Sequence, residues 1–282
     1  MEEKRRNIMK RISKLSVIAL TLVLALSFFT ACGGGGSAEE DKTIVVAATP
    51  SPHAEVLEFV KDKLAEDGWT LDIRVVDDYV TENPGTVDGD YDANYFQHVP
   101  YLNEFNEAEG ANLVPVANIH YEPMQIHAGT KKSFDELADG DKVGVPNDTT
   151  NEARALLLLE ANGVIKLKEG AGVTATKQDI VENPKNIEIE ELEAAVIPGQ
   201  LEELAIGVIN ANYAIGAGLK TEDAIAIEAA DSLAADTYVN VVVTTEENKD
   251  SEKTKALVAA LQTDEVKKFI EDKYQGAVLP KF

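Results

Sequence analysis

Asn151 and Arg154 stand three residues apart in Asn147-Asp-Thr-Thr-Asn-Glu-Ala-Arg-Ala-Leu-Leu-Leu-Leu159, where a polar loop gives way to an apolar helical run. Residues at this spacing share one helix face. Free backbone N–H groups and the positive end of the helix dipole favour an anion at such a start, and arginine adds a planar fork that matches a carboxylate. The alternative reading pairs Arg154 with Glu152 or a surface acid, as most single helical arginines do. A second stretch, Asp92-Ala-Asn-Tyr-Phe-Gln-His98, follows the turn-prone run Glu82–Tyr91 and precedes Pro100, a residue suited to the first turn of a helix. It carries Tyr95, Phe96 and His98 to a strand end, where open α/β sheets hold ligands; Tyr95 and Phe96 could equally fill the core. Strand alternation predicts that Phe96 and His98 share a face with Asn94, while Tyr95 and Gln97 turn away. Asn210 ends the apolar run Ala205–Ile209, and Asn240 lies inside Tyr238–Val243. A buried amide must find partners or cost about 1–3 kcal/mol. Together, a guanidinium, several amides and an aromatic wall suit a small zwitterion with an apolar side chain. A thioether is a good guest for aromatic rings.

The elements that would position these groups follow from hydrophobic patterning. Thr43–Ala48 is a continuous apolar run, the mark of a strand covered on both faces. After the breaker Thr49-Pro-Ser-Pro-His53, a helix presents Val56, Leu57, Val60 and Leu64 on one face. Trp69–Val76 alternates, with Leu71, Ile73 and Val75 on one side. This β-α-β opening predicts a parallel sheet. A helix is expected from Pro100 to Glu109, a strand over Leu113–Ile119, and an extended segment over Glu122–Ala128 that crosses to a second lobe. Ser133-Phe-Asp-Glu136 fits a capping box. Strands are expected at Lys142–Pro146, Ile187–Leu192, Ala205–Asn210 and Tyr238–Val243, a short helix at Pro198–Leu204, and a return towards the first lobe over Ala224–Ile227. The C-terminal part reads as helical, with Leu257, Leu261, Val266, Phe269 and Ile270 as its buried stripe.

Composition narrows the function. The 282 residues carry a formal net charge of -24, which argues against nucleic acid and anionic lipid headgroups as partners of the folded body. Lys4, Arg5, Arg6, Lys10, Arg11 and Lys14 precede an apolar run, Leu15–Phe29, too short for a comfortable membrane span. Thr30-Ala31 then leads to Cys32, the only cysteine, and to Gly33-Gly-Gly-Gly-Ser37. This is the pattern of a bacterial lipoprotein signal in which Cys32 is lipidated and followed by a flexible tether; Phe29 stands where Leu is usual. Residues 1–31 hold six basic and two acidic side chains, so their removal shifts the formal charge from -24 to -28. No P-loop or dinucleotide-binding motif is present. The four histidines, His53, His98, His120 and His127, lack metal-ligand spacing, no nucleophile elbow appears, and no carboxylate pair is singled out for glycoside chemistry.

From Thr43 to Phe282 the chain resembles the methionine-binding lipoproteins of ABC importers, the NlpA-type family. The resemblance rests on Ala48-Thr-Pro-Ser-Pro-His-Ala-Glu55, Asp92–His98, Pro146-Asn-Asp-Thr-Thr-Asn-Glu-Ala-Arg154, Val181-Glu-Asn-Pro-Lys185, Glu190-Glu-Leu-Glu-Ala-Ala195 and Gly276-Ala-Val-Leu-Pro-Lys-Phe282. Ala211 and Ala153 depart from glycines common in that family. The resemblance implies an α/β, bilobal periplasmic-binding-protein fold of type II-like form, two sheet-and-helix lobes joined by a two-crossing hinge. It divides the chain into a signal peptide (1–31), a lipidated tether (32–42), lobe one (43–128 plus 228–282) and lobe two (129–227). It implies a binding protein rather than an enzyme, with no cofactor and no metal, anchored to the extracytoplasmic face of the cell membrane. The expected ligand is L-methionine, delivered to a permease with a cytoplasmic ATPase. D-methionine, methionine sulfoxide, a methionine dipeptide or another apolar amino acid are the alternatives within this class; a lipid-anchored hydrolase and a structural lipoprotein are the alternatives outside it. The implied cleft residues are Tyr79, Tyr95, Phe96, His98, His120, Asn151, Arg154, Asn210 and Asn240.

Overall fold

Thr43–Ala48 forms strand β1, which lies between two parallel neighbours and buries Ile44, Val46, Ala47 and Ala48. The computed structural model describes residues 41–230 and 233–282. The expected signal peptide, Cys32 and most of the tether lie outside the described residues. Among the described residues no helix is long and apolar enough to cross a membrane.

After a turn at Pro50–Ala54, helix α1 (Glu55–Glu66) buries Val56, Leu57, Val60 and Leu64 against the sheet. Each such side chain contributes about 1.5–3 kcal/mol relative to exposure. Strand β2 (Thr70–Val75) buries Leu71, but Ile73 is half-buried and Val75 is 57% exposed. The expected apolar face fades because β2 is the sheet's edge. Helix α2 (Glu82–Asp88), strand β3 (Ala93–His98), helix α3 (Val99–Glu109) and strand β4 (Leu113–Tyr121) follow. In the second half of the chain come β5 (Gln125–Ala128), β6 (Lys142–Pro146), α4 (Thr149–Ala161), the small pair β7 (Lys166–Leu167) and β8 (Ile180–Glu182), β9 (Glu188–Leu192), β10 (Ile206–Ile209), α5 (Ala211–Gly216), β11 (Ala226–Ile227), α6 (Leu233–Thr237), β12 (Val239–Thr245), α7 (Glu252–Leu261), α8 (Asp264–Tyr274) and β13 (Leu279–Pro280).

Apart from the pair β7-β8, the strands make two mixed sheets. The first has the order β13-β4-β12-β3-β1-β2, the second β11-β5-β10-β6-β9. Each has its own apolar core, one around Ile44, Val46, Leu57 and Ile119, the other around Ile126, Val143, Leu156 and Val208. The chain passes from the first sheet to the second between Tyr121 and Gln125, and returns after Ile227. Strand β5 pairs with β10 in the second sheet, so a first lobe running to residue 128 takes in one strand too many. Likewise Ala226–Ile227 still pairs in the second sheet, and the return comes after it.

Three local expectations fail for physical reasons. Ser133 makes no capping bond; Glu136 instead accepts from the Lys132 backbone N–H at 2.8 Å, and the segment is a single tight turn, Phe134–Glu136. The short helix expected over Pro198–Leu204 is displaced to a turn at Ala194–Gln200. In β3, the facing register of β12 skips Phe96: Val242 faces Tyr95 and Val241 faces Gln97. This bulge breaks the alternation. Gln97 and Asn94 therefore both bond to Asn83, at 3.0 Å each, whereas alternation had turned Gln97 away.

Beside this amide cluster, Glu82 is fully buried, and neither carboxyl oxygen has a hydrogen-bond partner. Burial pushes its pKa up to about 8 from the ordinary 4.5. The native state thus holds a proton that the unfolded chain releases. Stability contributed by the protonated form is full below about 4.5, falls as pH climbs and levels off above about 8. Thermal melts across this window are expected to show Glu82→Gln gaining on the wild type as pH rises, by a few kcal/mol in all, on the order of the 1.36 kcal/mol per pKa unit of linkage. A constant difference from pH 5 to 9 would contradict this placement of the proton.

Candidate functional site

The cleft between the two sheets holds a small cavity, about 20 Å³ as measured by the centre of a water-sized sphere. Its wall brings together Tyr79, Phe96, His98, Asn151, Arg154, Asn210 and Asn240. They come from the loop after β2, the end of β3, the first turns of α4, the residue before α5, and β12. Asn210 ends a fully buried strand and its backbone is extended, so its side chain emerges where the sheet stops. Gln97, Tyr101, Glu122 and Asn212 also line the cavity. No motif or spacing marked Tyr101, Glu122 or Asn212, and alternation had turned Gln97 away; only the tertiary fold brings them there. Tyr95 and His120 do not line it. Tyr95 is fully buried in the first core with its hydroxyl pinned to His120 Nδ1, so both stand behind the wall.

Arg154 is buried, and its Nε donates to Glu228 at 2.9 and 3.1 Å while Nη2 donates to the Glu122 carbonyl at 2.6 Å. Its partner is therefore neither Glu152 nor a surface acid, but a residue 74 positions away in sequence. The Nε–Nη2 fork is thus occupied by Glu228 and the Glu122 carbonyl. Tyr238 and Tyr121 stack on the cation, with the Tyr238 ring centre 4.4 Å away. Burial alone would lower the guanidinium's pKa, but Glu228 outweighs it and raises it. For Glu228, burial pushes the carboxyl up, and Arg154 more than offsets this and holds it below the usual range.

Around the cavity the amides are linked to histidines. His98 Nδ1 accepts from the Tyr101 backbone N–H at 3.2 Å, and its Nε2 lies 3.1 Å from Asn151 Oδ1. Asn210 Nδ2 donates to the same Oδ1 at 2.9 Å. The Asn210 Oδ1 is buried and has no partner, the situation that ordinarily costs about 1–3 kcal/mol. On the other wall, His53 Nε2 lies 3.0 Å from Asn240 Oδ1 and 3.3 Å from Glu122 Oε1, and Nδ1 pairs with Thr49 Oγ1 at 2.6 Å. His120 Nε2 lies 2.7 Å from the same Glu122 oxygen. The turn after β1 and the end of β4 thus gather two imidazoles and a carboxylate that sequence spacing had left scattered. Their ring nitrogens are all taken by protein partners, so the cluster reads as a hydrogen-bonded network. Burial lowers His53 to about 4, His120 to about 3 and His98 to about 3, Arg154 adding to the last. All three rings are neutral at physiological pH. Burial also pushes Glu122 up, against the pull of His53 and Arg154.

The lobes touch across the cleft. Tyr79 donates to Asn212 Oδ1 at 2.6 Å, and its ring centre is 4.9 Å from that of Tyr213. With Phe96 and Tyr101 beside it, Tyr79 forms an aromatic wall.

Removing one member of a buried ion pair leaves an uncompensated charge. Arg154→Met is expected to lose about 3–5 kcal/mol of unfolding free energy, and Arg154→Met with Glu228→Leu to cost less than the single change. Urea denaturation measures both. Additive losses in the double variant would show that the pair is not coupled.

The NlpA lipoprotein family model matches residues 44–282. The D-methionine-binding lipoprotein MetQ of Escherichia coli (strain K12) is 44% identical over 225 residues, spanning 78% of this chain and 82% of that protein. A nutrient binding protein from Burkholderia cenocepacia, solved bound to methionine, is 39% identical with a TM-score of 0.80, covering 85% of this chain and all of that one. Lipoprotein Tp32 from Treponema pallidum is 35% identical, also at a TM-score of 0.80, over 86% of this chain and 100% of its own. The described body has the two-lobed α/β fold of solute-binding proteins, and the chain belongs to the NlpA lipoprotein family.

Proposed function

We propose that this chain is an extracytoplasmic, lipid-anchored receptor that binds L-methionine in the interlobe cleft and passes it to an ABC importer permease. The observation that carries the reading is the unpartnered Asn210 Oδ1, an acceptor in the same cavity as the Arg154 cation. An acceptor and a cation in a small, closed space match the ammonium and carboxylate of one amino acid. In this reading Arg154 and the Asn240 amide take the carboxylate, while Asn210 takes the ammonium. Tyr79, Phe96 and Tyr101 enclose the side chain, where a thioether gains from contact with ring edges. The ligands named for the E. coli and B. cenocepacia relatives support methionine. The E. coli name favours D-methionine as the second reading. Attachment would run through Cys32 and its acyl chains, and closure of the lobes would present the loaded form to the permease.

Isothermal titration of the mature body, unfolded and refolded to strip any carried ligand, tests this. L-methionine is expected to bind with favourable heat and to raise the melting temperature, and Asn210→Leu to weaken it by about tenfold or more, the loss of one charge-assisted hydrogen bond. Tighter binding of D-methionine would transfer the assignment to that enantiomer. No heat with either enantiomer would sink the methionine reading.

A further inference from the structure

His98 has no ring nitrogen left for a ligand. The Tyr101 backbone N–H can only donate, so His98 Nδ1, 3.2 Å away, is an acceptor. A neutral imidazole with an accepting Nδ1 carries its proton on Nε2. That proton points at Asn151 Oδ1 over 3.1 Å. The orientation of Asn151 is set independently from its other end: its Nδ2 donates to both oxygens of Asp148, at 2.9 and 3.0 Å. Asn151 Oδ1 is therefore an acceptor facing two donors, His98 Nε2–H and Asn210 Nδ2, the latter at 2.9 Å. With its nitrogen committed there, Asn210 can turn only its Oδ1 elsewhere, and that oxygen is the one left buried and unpartnered.

We propose that His98 is a positioning residue for specificity: together with Asp148 it holds Asn151 Oδ1 towards Asn210, which orients the Asn210 amide oxygen-inward and so makes the cleft select ligands that carry an ammonium. This rests on the reading of the cleft as an amino-acid site, and assigns His98 a role other than packing against the side chain. The relay runs between a backbone N–H and a carboxylate, neither of which can reverse, so its polarity is fixed from both ends. Were His98 to carry its proton on Nδ1, its bare Nε2 would face Asn151 Oδ1, two acceptors 3.1 Å apart, and only Asp148 would oppose a flip of Asn151 and, with it, of Asn210. An inward-facing Asn210 amide nitrogen would then repel an ammonium.

The test compares affinity for methionine with affinity for 4-(methylthio)butanoate, the same molecule without its amino group, by calorimetry. His98→Leu is expected to lower the ratio of the two affinities about tenfold, as loss of one hydrogen bond to a charged group would. His98→Gln, whose amide can still donate to Asn151, is expected to keep most of the ratio. A merely structural role would weaken both ligands equally, and an unchanged ratio in folded His98→Leu overturns the proposal. The tautomer is read separately from imidazole 15N shifts of the ligand-free wild type, where an Nδ1–H form also overturns it. Should the wild type bind neither molecule, the methionine reading fails, and the 15N result still decides the relay.

Discussion

The buried ion pair between Arg154 and Glu228 is the constraint on which the cleft depends. Arg154 comes from helix α4, beside the second sheet, and Glu228 from the segment returning to the first. Glu228 also accepts from the Met124 backbone N–H at 2.9 Å and the Tyr121 hydroxyl at 2.8 Å, and Arg154 reaches the Glu122 carbonyl. One pair thus ties a cleft helix to both chain crossings. Buried charges are costly unless every remaining donor and acceptor is met. Here two tyrosines, a backbone amide and a carbonyl meet most of that demand. The guanidinium is held by the protein itself, so an incoming anion meets a cation already in place.

Most of the cleft's polarity is carried by neutral groups. Histidine, asparagine and glutamine side chains have two ends, and a buried amide can serve as donor or acceptor according to its neighbour. Fixed groups remove that freedom: the Tyr101 backbone N–H on one side, the Asp148 carboxylate on the other. The histidines serve this purpose because burial keeps them neutral, with one donor and one acceptor each. A charged imidazole would donate from both nitrogens and set the His98 Nδ1–H against the Tyr101 N–H.

The first-lobe network of Thr49, His53, Asn240, Glu122, His120 and Tyr95 has the same character. It explains why Tyr95 and His120 sit near the cleft without lining it. They fix Glu122 and, through His53, Asn240, both of which do face the cavity. Low dielectric makes such bonds stronger when complete and costly when broken.

While the two-lobed class came from the family resemblance, periodicity, breakers and long apolar runs were enough to read the strands around β1 and the helix face of Val56, Leu57, Val60 and Leu64. These are local properties: side-chain spacing and solvent preference act within a dozen residues. Arg154, Asn151, Asn210 and Asn240 could be singled out because polar residues at strand ends and helix starts must have a reason to be there. Their partners could not. Glu228, Glu122 and His53 lie tens of residues away, and nothing local marks which of the 50 acids will be buried. The bulge at Phe96 depends on the register of β12, more than 140 residues later in the chain, so alternation misplaced Gln97. The tertiary structure alone decided which groups meet, and in which protonation and orientation, because hydrogen-bond direction belongs to pairs of residues and not to either one.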